Sequence, residues 1–71
     1  MKEVWLVRRS WVTNGGWREE WPWGIYASLE DARAAYALYV PDTTRGEKIL
    51  AVPHRIGATQ EDWTRHVVIK E

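Results

Sequence analysis

The sequence predicts a small α+β domain in which one helix packs on one face of an antiparallel or mixed sheet. Three observations predict this fold: a hairpin signal between two apolar runs, one helical stripe, and two further strand-like runs. The 71 residues make one compact domain, 1–71, near the lower size limit for independent folding. The expected order of elements is β-β-α-β-β.

The first third of the chain predicts a β-hairpin. The run VWLVRRSWV, Val4 to Val12, is rich in β-branched and aromatic residues, and WREEWPWGIYA, Trp17 to Ala27, returns after an Asn-Gly pair. Pro22 cannot donate a hydrogen bond within a sheet. The second strand is therefore expected at an edge, or with a bulge near Pro22–Gly24.

A two-residue turn, at Asn14–Gly15 or Gly15–Gly16, would divide the hairpin side chains between two faces. One face would carry Val4, Leu6, Val12, Trp17, Trp21, Trp23, Ile25 and Ala27. The other would carry Trp5, Val7, Arg9, Trp11, Arg18, Glu20 and Tyr26. A three-residue loop would break this pairing. Because one helix covers only one face, we expect the C-terminal segment around Trp63, or another molecule, to cover the second.

The segment SLEDARAAYALYV predicts the helix, with Ser28 as its N-cap and Pro41 as its end. Its apolar stripe consists of Leu29, Ala32, Ala35, Tyr36 and Tyr39. The segment EKILAVPHRIG predicts a third strand, and TRHVVIKE predicts a short fourth strand after a turn that Thr59 caps.

Composition bounds the function. Ten basic and ten acidic residues cancel, whereas nucleic-acid binding normally brings a basic excess, so the charge balance disfavours a nucleic-acid partner. The absence of cysteine fits a reducing compartment, and the N-terminal apolar run is too short for a signal peptide or a membrane span. We therefore expect a cytoplasmic protein without a membrane association. A net charge near zero also favours self-association.

No residue pattern predicts an enzyme, a cofactor or a metal site. His54 and His66 belong to no ligand motif, although a weak site with Glu61 or Asp62 is conceivable if their strands pair. Glu19 and Glu20 point to opposite faces of a strand, so they do not form a catalytic pair. Glu20 is expected to pair with Arg9 across the hairpin. The loop from Thr43 to Lys48 is interpreted as solvated.

The segments GIYASLEDARAAY and DWTRH resemble an uncharacterised family of small bacterial and phage proteins. The matching residues are Gly24, Ile25, Tyr26, Ser28, Ala32, Ala35, Trp63 and Thr64. The resemblance covers the middle of the chain and one later spot, and the family has no established activity to transfer. It implies an analogy with phage accessory proteins, many of which bind and block a host protein.

The six tryptophans predict a non-catalytic protein-binding module, such as a phage-encoded inhibitor of a bacterial host protein. A homodimer through the same surface is a close variant. The candidate partner-binding residues are Trp5, Arg9, Trp11, Arg18, Trp21 and Trp23. The alternative hypothesis is a module that binds single-stranded nucleic acid by aromatic stacking.

Overall fold

The computed structural model describes residues 2–71, and within them the chain is mostly sheet. The strands are β1 (Glu3–Val12), β2 (Arg18–Tyr26), β3 (Lys48–Arg55) and β4 (Val67–Lys70), and the helix is α1 (Leu29–Ala35). Two 3₁₀ turns, Thr43–Arg45 and Trp63–Arg65, precede β3 and β4. The sheet order is β2-β1-β3-β4, and every neighbouring pair is antiparallel.

The predicted α+β class is wrong, because α1 has 7 residues whereas the strands have 10, 9, 8 and 4. Ser28 caps α1 by accepting a hydrogen bond from the Asp31 N–H at 3.0 Å. The helix ends at Ala35 with Tyr36 as its C-cap, and beyond it the Tyr39 N–H donates to the Tyr36 carbonyl in a tighter turn. Pro41 then disfavours a helical conformation at the residue before it. The β-β-α-β-β order holds only loosely, since the 3₁₀ turns interrupt the second half.

The hairpin turn is a three-residue loop, Asn14 to Gly16, and the predicted two-residue turn is wrong. The Thr13 N–H donates to the Trp17 carbonyl at 2.8 Å, and the Gly16 N–H donates to the Thr13 carbonyl at 3.0 Å. Gly16 has a φ of 89°, as the third position of such a loop requires. An odd number of loop residues moves the pairing by one residue, so the predicted division of the faces fails near the turn.

A β-bulge in β2 shifts the register a second time. Val7 opposes Gly24, whereas the next residue, Arg8, opposes Pro22, which leaves Trp23 as the extra residue. The bulge lies where the proline predicts it, and β2 is an edge strand. Pro22 is tolerated there because an edge strand has no second neighbour that needs its missing N–H.

The core lies between α1 and the first half of β1. Val7, Ala32, Ile49 and Ala51 are fully buried, and the partly buried residues around them are Trp5, Tyr26, Leu29, Tyr36, Tyr39 and Ile69. The small side chain of Ala32 allows the helix to approach the aromatic residues of the sheet closely. Because α1 has only about two turns, it covers only part of this face.

The C-terminal segment covers part of the opposite face, which carries Arg8 and His54. Glu61 accepts hydrogen bonds from the Arg8 guanidinium, and the Asp62 N–H donates to the Pro53 carbonyl at 3.0 Å. The Arg8 guanidinium also lies 5.8 Å from the centroid of the Trp63 ring. The sequence left open whether the C-terminal segment around Trp63 or another molecule covers the second face. The structure shows that the C-terminal segment covers part of it.

Candidate functional site

All five hairpin tryptophans lie on the face that α1 partly covers. Trp5 and Trp11 alternate with Val7 and Arg9 on β1, and Trp21 directly opposes Arg9. Residues that oppose each other in an antiparallel pair share a face. The three-residue loop therefore brings together tryptophans that the predicted two-residue turn distributes over both faces.

Trp17 and Trp23 join the same face for separate reasons. The Trp17 indole donates a hydrogen bond to Glu19 at 2.9 Å, and Glu19 opposes Trp11. Trp23, the bulge residue, stacks on Tyr36 with ring centroids 5.5 Å apart and planes at 14°. Tyr39 meets the same indole edge-on at 5.1 Å. The end of α1 therefore packs against Trp23.

The tryptophans that α1 does not cover fully remain accessible. Trp17 is 61% exposed, Trp21 59% and Trp23 39%, whereas Trp11 is half-buried beside them. We call these four residues, Trp11, Trp17, Trp21 and Trp23, the indole surface. Accessible aromatic residues grouped on one face mark interaction surfaces in proteins.

Arg9 lies at the centre of the indole surface and is held by a buried carboxylate. The Arg9 Nε donates to Glu47, whose side chain is fully buried, and the Tyr39 hydroxyl donates to the same carboxylate. The Asp42 N–H adds a third hydrogen bond at 3.0 Å. The Arg9 guanidinium lies 4.4 Å from the Trp11 ring centroid and 5.8 Å from that of Trp23.

These contacts determine the charges at the centre of the surface. Burial raises the pKa of Glu47, but the hydrogen bonds from Tyr39, Asp42 and Arg9 outweigh it, so its pKa lies below the usual value. Glu47 is therefore an ionised carboxylate that neutralises Arg9. Burial and the hydrogen bond to Glu47 raise the pKa of Tyr39, which keeps its hydroxyl protonated as the donor.

Two of the predicted site residues do not join the indole surface. Arg18 opposes Val12 and donates to the Ser10 hydroxyl at 2.8 Å and to the Gly46 carbonyl at 3.3 Å, on the other face. Trp5 packs against the core cluster under α1. Four predicted residues, Arg9, Trp11, Trp21 and Trp23, do come together.

The sequence alone does not reveal Glu47 and Tyr39 as partners of Arg9. The expected partner, Glu20, opposes Ser10 and lies on the opposite face. Glu47 reaches Arg9 only because β3 is the second neighbour of β1, which is a long-range pairing. The one local signal is Gly46, whose φ of 58° turns the chain directly before Glu47.

The histidines are separate from the indole surface. A cavity of about 380 Å³ on the opposite face is lined by His54, Thr59, Gln60, Glu61 and Trp63. His66 is exposed, and its Nδ1 lies 2.8 Å from the Trp63 carbonyl oxygen. Residues 2–71 contain no group of three or more histidine, aspartate or glutamate residues that could hold a metal ion.

Comparisons with known proteins add no relative. No family model matches the chain, and neither a curated protein nor a solved structure matches it. The resemblance to small bacterial and phage proteins therefore stays a prediction. In the part of the chain that the structure describes, no helix is long and apolar enough to cross a membrane.

Proposed function

We propose that this protein is a non-catalytic protein-binding module that contacts its partner through the indole surface. One observation carries the proposal: Trp17, Trp21 and Trp23, each more than a third exposed, lie side by side on one face of the sheet, which α1 covers only in part. Tryptophan contributes more than most residues to binding energy at protein interfaces. Burying these indoles against a partner would remove a large apolar area from water.

The surface is also preorganised. Trp23 is held between Tyr36, Tyr39 and Arg9, and Trp11 lies against the Arg9 guanidinium. Side chains fixed before association lose less conformational entropy when the partner binds. The fixed side chains therefore suit the indole surface to binding better than flexible side chains at a sheet edge would.

Single-stranded nucleic acid is the second candidate, because accessible indoles also suit base stacking. Charge disfavours it. Arg9, the cation that the hairpin contributes to this face, is paired with Glu47, and Glu19 adds a negative charge beside Trp17. A protein partner requires no basic track and fits these charges better.

The partner candidates are a bacterial host protein and a second copy of the chain. The resemblance to small phage proteins favours an inhibitor that acts on a host protein in the host cytoplasm. Sedimentation velocity at several concentrations distinguishes the two candidates, because a homodimer dissociates on dilution whereas a monomer keeps one sedimentation coefficient.

Comparative affinity capture tests the proposal. Tagged wild-type protein, the double variant W17S/W21S and the control variant L38S/I56S are incubated with nuclease-treated lysate of the source cells. Leu38 and Ile56 are exposed apolar residues outside the indole surface, at 96% and 51% exposure. We expect the wild type and the control to retain the same protein and W17S/W21S to lose it. Equal retention by all three, or retention only before nuclease treatment, would contradict the proposal.

A further inference from the structure

We infer that the partner is a protein that presents an arginine-bearing basic segment, and that this arginine binds Glu19 between the indoles of Trp17 and Trp21. The inference rests on the proposed function and specifies the chemistry of the partner. Three observations carry it: the spacing along β2, the charge of the indole surface, and an arrangement that recurs in this molecule.

The spacing places a carboxylate between two accessible indoles. Trp17 directly precedes β2, and Glu19 and Trp21 lie within it at every second position, so the three side chains follow one another on one face at about 7 Å intervals. The Trp17 indole N–H binds Glu19 Oε1 at 2.9 Å and fixes the carboxylate. Glu19 Oε2 accepts no hydrogen bond from any side chain among residues 2–71.

The charge of the indole surface is negative at this point. Arg9 is neutralised by Glu47, and Arg18 donates to Ser10 and Gly46 on the other face. Glu19 therefore has no cation of its own hairpin beside it. A partner that brings a positive charge gains an ion pair there, whereas an acidic partner is repelled.

The recurring arrangement is an arginine held by one glutamate and one tryptophan. Arg9 binds Glu47 and lies over Trp11 at 4.4 Å, and Arg8 binds Glu61 and lies over Trp63 at 5.8 Å.

Glu19 with Trp17 and Trp21 is a third set of the same groups, and it lacks an arginine. Arginine suits this set better than lysine, because its planar guanidinium stacks on an indole and offers a fork of donors to a carboxylate. The third set is therefore matched to an arginine that arrives from another molecule.

Titration with a model ligand tests the inference. Acetylated hexa-arginine amide is added to ¹⁵N-labelled protein, and the indole Nε1–H signals and the dissociation constant are followed by NMR. We expect the signals of Trp17 and Trp21 to shift most. E19Q should weaken binding about fivefold, the size of one exposed charge pair. The matched control E20Q changes the adjacent carboxylate on the opposite face and should leave the affinity unchanged.

Two results would overturn the inference: equal effects of E19Q and E20Q, or hexa-lysine binding as tightly as hexa-arginine. A separate readout distinguishes its failure from that of the proposed function. E19Q is included in the affinity capture beside W17S/W21S. Loss of the partner with W17S/W21S but full retention with E19Q would support the indole surface as the binding site and contradict the inference that an arginine of the partner binds Glu19. Loss with both variants supports both proposals.

Discussion

The guanidinium of Arg9 and the carboxylate of Glu47 form an ion pair in which the carboxylate is fully buried and the guanidinium reaches the surface. The pair joins the central strand β1 to the residue that precedes β3. Its outer side supports Trp11 and Trp23, and its inner side receives the Tyr39 hydroxyl. One buried charge therefore connects the core beneath α1 to the indole surface beside it.

Replacing Glu47 with glutamine should destabilise the fold. The variant removes the charge that Arg9, Tyr39 and the Asp42 N–H all contact, and we expect the free energy of unfolding to fall by about 2 kcal/mol. Urea denaturation monitored by circular dichroism measures this change. E20Q, at an exposed position on the opposite face, should change the free energy of unfolding by less than about 0.5 kcal/mol. Equal losses in the two variants would show that Glu47 is not a buried charged partner.

The depressed pKa of Glu47 predicts a loss of stability in acid. Its contribution is fully present above the pKa of the unfolded chain, near the ordinary glutamate value of 4.5, and is lost as pH falls through the lower folded-state pKa. Urea denaturation of the wild type should therefore give a constant free energy of unfolding from pH 7 to about 5, and a decrease below that. The free energy of unfolding of E47Q should decrease less steeply with falling pH. Part of the decrease should remain in this variant, because the pKa of Asp42 is also lowered. Parallel acid profiles for both proteins would contradict this assignment.

The loop at the hairpin tip can be tested by two neighbouring substitutions. Gly16 has a positive φ whereas Asn14 does not, so G16A should cost about 1 kcal/mol of unfolding free energy and N14A much less. A two-residue Asn-Gly turn predicts a cost at Asn14 instead, because it needs a positive φ there. Thermal denaturation of both variants decides between the two loops. A larger cost for N14A than for G16A would refute the three-residue loop and the register that follows from it.

The tryptophans should divide into structural and accessible groups. Trp23 stacks on Tyr36 and Tyr39, so W23A should lower the free energy of unfolding by about 2 kcal/mol. W21S should lower it by less than about 1 kcal/mol, since Trp21 is 59% exposed. Urea denaturation with the same protocol compares them. If W21S costs as much as W23A, Trp21 is part of the core and the indole surface loses a central member.

The sequence predicted the individual strands, the helix cap and the bulge better than the register and pairing of the strands. The strand-forming runs, the Ser28 cap and a bulge beside Pro22 follow from local chemistry, because each depends on a few adjacent residues. The length of the helix does not follow from local chemistry. The apolar stripe through Tyr39 is equally compatible with a shorter helix that is followed by tighter turns. That difference made the predicted α+β class wrong.

The candidate site could be predicted only in part, because it depends on register and on distant pairing. One extra loop residue moved both Trp21 and Trp23 to the same face as Arg9, and the bulge affects only the pairing beyond Trp23. Glu47 lies 38 residues from Arg9 in the chain, and no local pattern reports such a contact. The residue types of the surface were therefore predicted, whereas Arg18 lies on the opposite face and Trp5 packs against the core.

The most direct test of the indole surface is the accessibility of each indole in solution. The six tryptophan Nε1–H signals are recorded by NMR with and without a soluble gadolinium chelate, which broadens signals near the solvent. The structure predicts strong broadening for Trp17 and Trp21 and weak broadening for Trp5, which packs under α1. Weak broadening of Trp17 and Trp21, equal to that of Trp5 at concentrations where the protein is monomeric, would contradict an accessible indole surface.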